Sequence, residues 1–460
     1  MSLTRLPSSF RDPSGFLFRH HDTLYRYVAS SYAAHYDAVM RSGLYDELTA
    51  ADLLIPHDET ALTEAGILDA HRILRPQPVS FVSYPYEWCF GQLKAAALCT
   101  LEIQRRALAR GLTLKDASAC NIQFHRGRPI LIDTLSFEVY QEGAPWIAYR
   151  QFCEHFLAPL LLMSRVHADA GRWLREYLDG VPLEVAARVL GARAALSPAA
   201  LIHVRLHART IRRFSDSAKP PPRARPVSKT GLAALIEHLA ASIRRFDWRP
   251  SGTEWTEYGN TRGYARETLD AKRALVREGI LSAGAVTVWD VGANTGEFSR
   301  LAAQAGASVV ALDADPAAVE LNYRGVVAGG ERSILPLVID IANPSPALGW
   351  DLRERMSLAG RGPADVVLAL ALVHHLAISQ NLPFDLMAEG FARLGRTLII
   401  EYVPKDDAQA RRLLRSRPDI FTSYDRATFE GAFRRFFDVT RCEALPSSGR
   451  VLYTMVKPGG

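Results

Sequence analysis

The stretch Thr287-Val288-Trp289-Asp290-Val291-Gly292-Ala293-Asn294-Thr295-Gly296-Glu297 constrains the fold of this chain more than any other. An apolar strand, Val286 to Trp289, runs into Asp290 and a loop bearing Gly292 and Gly296, after which Phe298, Leu301 and Ala302 begin a helix. Glycine lets backbone approach a ligand where a side chain would block it. A second strand, Ala307 to Leu312, ends at Asp313. That is about twenty residues on, the separation at which a doubly wound sheet sets a carboxylate against a ribose diol. The dinucleotide spacing G-x-G-x-x-G is not met, since position 294 is Asn and Arg300 supplies no third glycine. A pyrophosphate cradle is therefore not expected.

The rest of the C-terminal half alternates strand and helix. Strands are predicted at Ser308–Leu312, Leu335–Ile339, Val366–Ala371, Thr397–Tyr402 and Val451–Val456, with helices at Phe298–Ala305, Ala317–Tyr323, Pro383–Leu394 and Asp407–Leu414. This order predicts an α/β, Rossmann-like doubly wound and mainly parallel sheet covered on both faces. A chain of 460 residues is too long for one core. The run Pro220-Pro221-Pro222 with Pro226 marks residues 217–229 as a semi-rigid linker, dividing an α+β domain at 1–216 from the α/β domain at 230–460. The segment Ala233 to Ile280 reads helical and is expected to brace the C-terminal domain.

The pattern D-x-G-x-x-x-G followed by Leu312-Asp313-Ala314-Asp315-Pro316 resembles the nucleoside-binding half of class I S-adenosylmethionine-dependent methyltransferases. The resemblance implies S-adenosylmethionine as cofactor and roles for Asp290 (methionine amino group), Gly292 and Gly296 (close approach), Asn294 (a cofactor-binding position in the same loop), Asp313 (ribose hydroxyls) and Asp340 (adenine amino group). Helix capping is the alternative at Asp290, ordinary turns at Gly292 and Gly296, and a strand-end turn at Asp340. Asp315, followed by Pro316, reads as an N-cap, and Phe298 as a packing residue.

Beyond strand Val366–Ala371 come His374 and His375, where a methyl acceptor would meet the cofactor. A neutral imidazole suits a general base for a hydroxyl acceptor, while a structural turn is the competing reading, and either ring could face the site. Glu401, at the end of the fifth strand, could orient a histidine, hold a substrate amine, or pair with Arg396 or Lys405. No third ligand spacing accompanies this group, so no metal is expected in the methyltransferase domain. Trp255 to Tyr258 and Tyr264 precede the first strand where relatives carry a flap, and Tyr258 is a candidate contact.

In the front half, Asp116 and Asn121 have D-x-x-x-x-N spacing, and a strand pair through Ile122 to Ile132 delivers Asp133. This resembles a protein-kinase catalytic loop and implies a nucleotide and Mg2+ site at Asp116, Asn121 and Asp133, with ATP as ligand. The departures are Leu114-Lys115 before Asp116, Thr134-Leu135 after Asp133, no glycine-rich phosphate loop, and Arg26 where a kinase uses Lys. Weak nucleotide binding with little turnover, an inert fold and an active kinase stay open, and a chance hairpin is the bland alternative. With Ser83-Tyr84-Pro85-Tyr86-Glu87-Trp88 and the segment Leu114 to Phe124, the whole chain also resembles two-part bacterial proteins related to nodulation-associated methyltransferases.

Composition narrows the setting. Apolar residues make up 48% and charged residues 23%, as in globular proteins. The net charge of +6 comes from arginines spread along the chain, and no N-P-P-[YF] stretch follows the fourth strand, which argues against nucleic acid. The apolar run Phe156 to Met163 is too short to span a membrane, and the first residues lack a signal peptide's apolar segment. Cys89, Cys99, Cys120, Cys153 and Cys442 show no C-x-x-C spacing and read as free thiols of a cytoplasmic protein. A small-molecule or protein methyl acceptor is expected, and oligomeric state has no signal in the sequence.

Overall fold

The structure, a computed structural model, describes residues 4–60, 69–192, 202–204, 226–250, 265–415 and 418–459. The expected flap with Tyr258, and the proline linker up to residue 225, lie outside the described residues. The chain divides into two compact units, Met1–Arg249 with Gly349–Glu354, and Pro250–Leu348 with Arg355–Gly460. Among the described residues, no helix is long and apolar enough to cross a membrane.

In the first unit, β1 (Thr4–Arg5), β2 (Gly15–His20), β3 (Thr23–Ala29), β4 (His57–Thr60) and β5 (Ala70–Pro76) form an antiparallel sheet in the order β1-β2-β3-β5-β4. Cross-strand aromatic pairs hold its centre: Phe16 stacks on Tyr27 at 4.7 Å and Phe18 on Tyr25 at 5.5 Å. The long helix Phe90–Ala109 buries Leu93, Ala97, Leu101 and Leu108. It is followed by β6 (Leu112–Leu114), β7 (Ile122–His125), β8 (Arg128–Leu131) and β9 (Phe137–Val139), paired β6 with β9 and β7 with β8.

The two signature segments of the front half meet in this unit. The Gln123 side chain accepts from the Ser83 N–H at 2.9 Å and donates to the Ser83 carbonyl at 2.9 Å. The Trp88 indole donates to Ser83 Oγ at 2.9 Å, and Glu87 accepts from the Tyr84 N–H. All of these side chains are buried. The signatures thus satisfy each other's polar groups in a dry interior, where an unpaired amide would cost about 1–3 kcal/mol.

The helix Lys229–Arg245 corrects one expectation. Its Leu232, Ile236, Leu239 and Ile243 lie on one stripe and are buried. It packs along the helix Phe90–Ala109, and Lys94 Nζ donates to the carbonyls of Arg244 at 2.9 Å and Phe246 at 2.6 Å. This helix therefore belongs to the first compact unit, while the later part of the segment expected to brace the C-terminal domain, the helix Arg266–Ser282, does pack Val276 and Ile280 into the core of the second unit. An apolar stripe is covered wherever a matching face exists, and here that face precedes it by more than a hundred residues.

The second unit is built on β10 (Thr287–Val291), β11 (Ser308–Asp313), β12 (Ile334–Val338), β13 (Ala364–Ala369), β14 (Gly395–Tyr402), β15 (Asp438–Ala444) and β16 (Val451–Val456). Their order is β12-β11-β10-β13-β14-β16-β15. The pairs among β10 to β14 are parallel, and β16 runs antiparallel to both β14 and β15. The chain starts in the middle at β10, builds outward through β11 and β12, then crosses back to β13. Strand order thus reverses between β10 and β13, and the region beyond their carboxyl ends is where open α/β sheets bind ligands in a crevice. Val288, Val309, Val366 and Leu368 are buried among side chains of the helices Arg266–Ser282 and Glu297–Gln304.

Fragments test the assignment of the helix Lys229–Arg245. Cutting at residue 216 would expose four apolar side chains' worth of the face on Phe90–Ala109, at about 1.5–3 kcal/mol for each one uncovered. Fragment 1–249 is expected to unfold cooperatively and stay monodisperse on size exclusion, and fragment 1–216 to aggregate. Equal behaviour of the two would place the helix elsewhere.

Candidate functional site

The loop after β10 is shaped by backbone bonds to its neighbour. The Gly292 and Ala293 N–H groups both donate to the Leu312 carbonyl, at 2.8 and 3.0 Å, and the Asn294 N–H donates to Asp313 Oδ2 at 2.7 Å. Three successive N–H groups are thereby committed inside the protein, so they do not form an anion cradle of the kind that binds phosphate. Asn294 itself has φ +49°, and its side chain accepts from the Thr295 N–H.

Glycine is required at two loop positions for different reasons. Gly292, at φ +77°, faces Leu372, whose Cδ1 would lie 3.3 Å from an added Cβ. The loop after β10 and the loop after β13 therefore touch at the switch point. Gly296, at φ +85°, faces Asn322, and an added Cβ would collide with that amide. Asn322, a buried residue of the helix Pro316–Gly329, packs closely against Gly296.

Four carboxylates stand at this end of the sheet. Asp290 is buried and accepts from Ser299 Oγ at 2.6 Å, and burial pushes it up to about 6. Asp313 accepts at both oxygens, from Asn294 and from the Asp315 N–H at 2.9 Å. Burial nonetheless pushes it up to about 6, while its rim stays partly accessible. Asp315 caps the helix Pro316–Gly329 by accepting from the Ala317 N–H, with Pro316 at the first position. Asp340, just beyond β12, accepts from the Ala342 N–H at 2.9 Å. The sign for Asp290 and Asp313 follows from the direction of the shift. A carboxylate raised from 3.8 to about 6 favours the neutral form in the folded state, so its penalty grows as pH rises from about 4 to about 6 and is complete at 7. A cationic ligand would offset that penalty.

Across the crevice, β13 ends at Ala369, and residues 370–374 lead into the π-helical turn His375–Ser379. His374 is buried, and neither of its ring nitrogens has a hydrogen-bond partner among the described residues. His375 is half-buried, with its ring centroid 4.1 Å from that of His374. Burial lowers His374 well below the ordinary histidine value and His375 to about 4, so both rings are neutral at pH 7.

Glu401 corrects another expectation. It has no exposed surface, and it pairs with neither Arg396 nor Lys405, whose partners are Asp365 and Asp419. Its Oε2 accepts from Lys272 Nζ at 2.6 Å and from the Ala371 N–H at 2.8 Å, and its Oε1 accepts from Arg450 at 3.2 Å. Arg450 in turn holds Asp407 in a bidentate pair at 2.9 and 3.0 Å. Glu401 is thus a buried structural anion, not a group facing the cleft. Lys272 and Arg450 carried a signal that sequence reading passed over. Lys272 falls on the buried stripe Leu269, Lys272, Val276, Ile280, where a lysine demands a counter-charge.

In the first unit, the implied nucleotide residues do come together. Asp133 is ion-paired with Arg26 and accepts from Ser136 Oγ and the Leu135 N–H. Asn121 donates to Ser136 Oγ at 3.3 Å, and Asp116 accepts from the Ser118 N–H at 2.9 Å. Lys115 Nζ donates to Ser14 Oγ at 2.6 Å. Both Asp133 oxygens and the Asn121 amide are engaged within the protein, with a guanidinium where a cation would bind. These residues do not fit a metal ion as they stand.

Over 459 residues the chain is 35% identical to nodulation protein NoeA of Rhizobium meliloti (strain 1021), spanning 98% of this chain and 95% of that protein. The chain belongs to the NoeA family. No family model matches it. Among solved structures, this NoeA-family chain overlaps magnesium protoporphyrin IX methyltransferase (ChlM) from Synechocystis PCC 6803 at 19% identity, covering 41% of this chain and 83% of that one with a TM-score of 0.32. For N-methyltransferase NodS from Bradyrhizobium japonicum WM9 the values are 14%, 42%, 98% and 0.32. For the bifunctional kinase-methyltransferase WbdD they are 16%, 44%, 41% and 0.32.

The Gly296–Asn322 contact yields a test in this NoeA-family chain. Gly296→Ala is expected to destabilise by about 2 kcal/mol or more, combining left-handed strain with the collision. Adding Asn322→Ala should recover part of that loss in chemical denaturation, because it removes the collision and leaves the strain. No recovery would mean that the space around Gly296 serves something other than Asn322.

Proposed function

We propose that the second unit is an S-adenosylmethionine-dependent methyltransferase whose acceptor is a hydroxyl or an amine on a small molecule or a protein. The observation that carries this reading is the switch point between β10 and β13. There a glycine loop with its N–H groups spent meets a partly accessible carboxylate, Asp313. Such a crevice suits a nucleoside that bears a cation and lacks a pyrophosphate.

In this reading Asp313 accepts from the ribose hydroxyls, oriented for it by Asn294 and Asp315. In the same reading Asp340, just beyond the neighbouring strand β12, contacts the base. Gly292 leaves room at the wall shared with Leu372, and Asp290 sets a negative charge beneath the loop through Ser299. The cofactor, when bound, supplies a methyl group made electrophilic by a sulfonium. The protein's part is to align the acceptor in line with that group and to exclude water. His374 and His375, uncharged at pH 7, are available to take a proton from a hydroxyl acceptor. The unpartnered buried nitrogens of His374 support that reading, because an imidazole without a partner in the free protein gains one when an acceptor arrives. Glu401 has no proton-transfer role here.

Calorimetric titration with S-adenosylhomocysteine is the test. Binding is expected in the wild type, lost in Gly292→Arg, and weakened at least about tenfold in Asp313→Ala, since a hydrogen bond to a charged group contributes about 1.5–3 kcal/mol. Affinity should also fall about tenfold from pH 7 to pH 5 for each carboxylate that must ionise, with the midpoint near 6. Unchanged affinity in both variants would overturn the assignment.

For the first unit, the Arg26–Asp133 pair supports an inert fold over a nucleotide site. Millimolar ATP with Mg2+ is expected to leave the thermal midpoint of the full chain unchanged. A metal-dependent rise that disappears in Asp133→Asn would overturn this reading.

A further inference from the structure

Ala371 has φ +50°, in the left-handed region that favours glycine. It stands between β13 and the histidine pair, so its conformation sets the direction in which His374 and His375 leave the sheet. Its N–H is held by Glu401 Oε2 at 2.8 Å. The same carboxylate is fixed from the opposite side by Lys272, on the helix Arg266–Ser282, and by Arg450, just before β16. Arg450 is anchored in turn on Asp407, the N-cap of the helix Ala408–Leu414. One residue beyond Ala371, the Leu372 side chain closes on Gly292.

From this geometry we propose that Glu401 is a positioning residue: clamped between Lys272 and Arg450, it imposes the left-handed turn at Ala371 and so seats Leu372 and the histidine pair against the Gly292 loop. The proposal rests on the methyltransferase reading of that crevice and adds a residue that touches neither cofactor nor acceptor. A simpler view holds that the buried charges serve stability alone. The two views separate at Glu401's contact with the Ala371 N–H, which leads to the crevice. A glutamine keeps an acceptor for that N–H, and a leucine of similar size does not.

The experiment compares Lys272→Met/Glu401→Gln with Lys272→Met/Glu401→Leu in the full chain, so that no buried lysine is left without its counter-charge. Thermal midpoint and S-adenosylhomocysteine affinity are read for each. The two variants are expected to melt alike, while the glutamine form binds at least about tenfold more tightly than the leucine form. Adding Ala371→Gly to the leucine form should restore most of that affinity without raising its midpoint, since glycine adopts the turn unaided. Equal affinity of the glutamine and leucine forms overturns the proposal, as does failure of Ala371→Gly to restore binding. If both double variants unfold, Ala371→Val decides: it leaves all the charges in place but resists the left-handed turn. Wild-type affinity in that variant overturns the proposal, and a loss of about tenfold sustains it. Absence of binding by the wild type is a different result, which removes the methyltransferase reading and this proposal with it.

Discussion

A carboxylate without exposed surface, Glu401, holds the second unit together at the end where its candidate site lies. Its partners come from parts of the chain far apart in sequence: Lys272 from the helix before the first strand, Arg450 from the turn before the last, and Ala371 from the crossing loop. Removing such charges from water costs several kcal/mol per ion, and their attraction offsets this only when every lone pair and proton finds a partner. Here donors of Lys272, Arg450 and Ala371 converge on the two oxygens. A buried set of this kind contributes modestly to net stability, since apolar side chains could fill the same volume. What it does supply is a definite arrangement, because shifting any one member strands a charge in the core.

That arrangement explains why the sheet could be read from the sequence and its site only in part. Periodicity reports which face of an element is apolar, and β10 to β14 and β16 were legible within a few residues from runs such as Thr287–Val291 and Val451–Val456. The edge strand Asp438–Ala444 escaped, because it is largely exposed and carries Asp, Arg and Glu in place of an apolar run. The place of Asp313 at the end of β11 was legible through its spacing from the glycine loop. Glu401 was legible as a functional candidate and misread, since a charged residue at a strand's carboxyl end looks the same whether it faces a cleft or a buried lysine. The discriminating feature lay about 130 residues away, in a lysine on an apolar helical stripe, and pairing of that kind is three-dimensional information.

The front half shows the same limit from the other side. Asp116, Asn121 and Asp133 were grouped by spacing, and the fold brings them to one place. Their occupation by internal partners could not be read from them. It depends on Arg26, on a strand of the antiparallel sheet, reaching the Asp133 carboxylate. A guanidinium carries a fixed charge and a planar array of donors, and it satisfies a carboxylate more completely than a flexible ammonium does. With Arg26 paired to it, the Asp133 carboxylate is already neutralised within the protein. The signature residues Ser83, Gln123 and Trp88 likewise proved to be each other's hydrogen-bond partners. A motif repeated among related proteins can mark a packed interior as readily as a site.

The electrostatics of the crevice then argue for the chemical character of its ligand. A phosphate-binding loop presents free backbone N–H groups, whereas this loop directs those of Gly292, Ala293 and Asn294 into β11 and Asp313. What remains at the carboxyl ends of β10 and β11 is negative: Asp290 and Asp313, each pushed up to about 6 by burial and each raised further by a neighbouring carboxylate. Two such groups destabilise the empty site at neutral pH, and an anionic ligand would deepen that penalty. A ligand with a positive charge removes it, so part of its binding free energy comes from relieving a strain already present in the free protein. Uncharged histidines on the opposite wall add no competing positive charge. The negative charge at these strand ends therefore favours a cationic ligand over an anionic one.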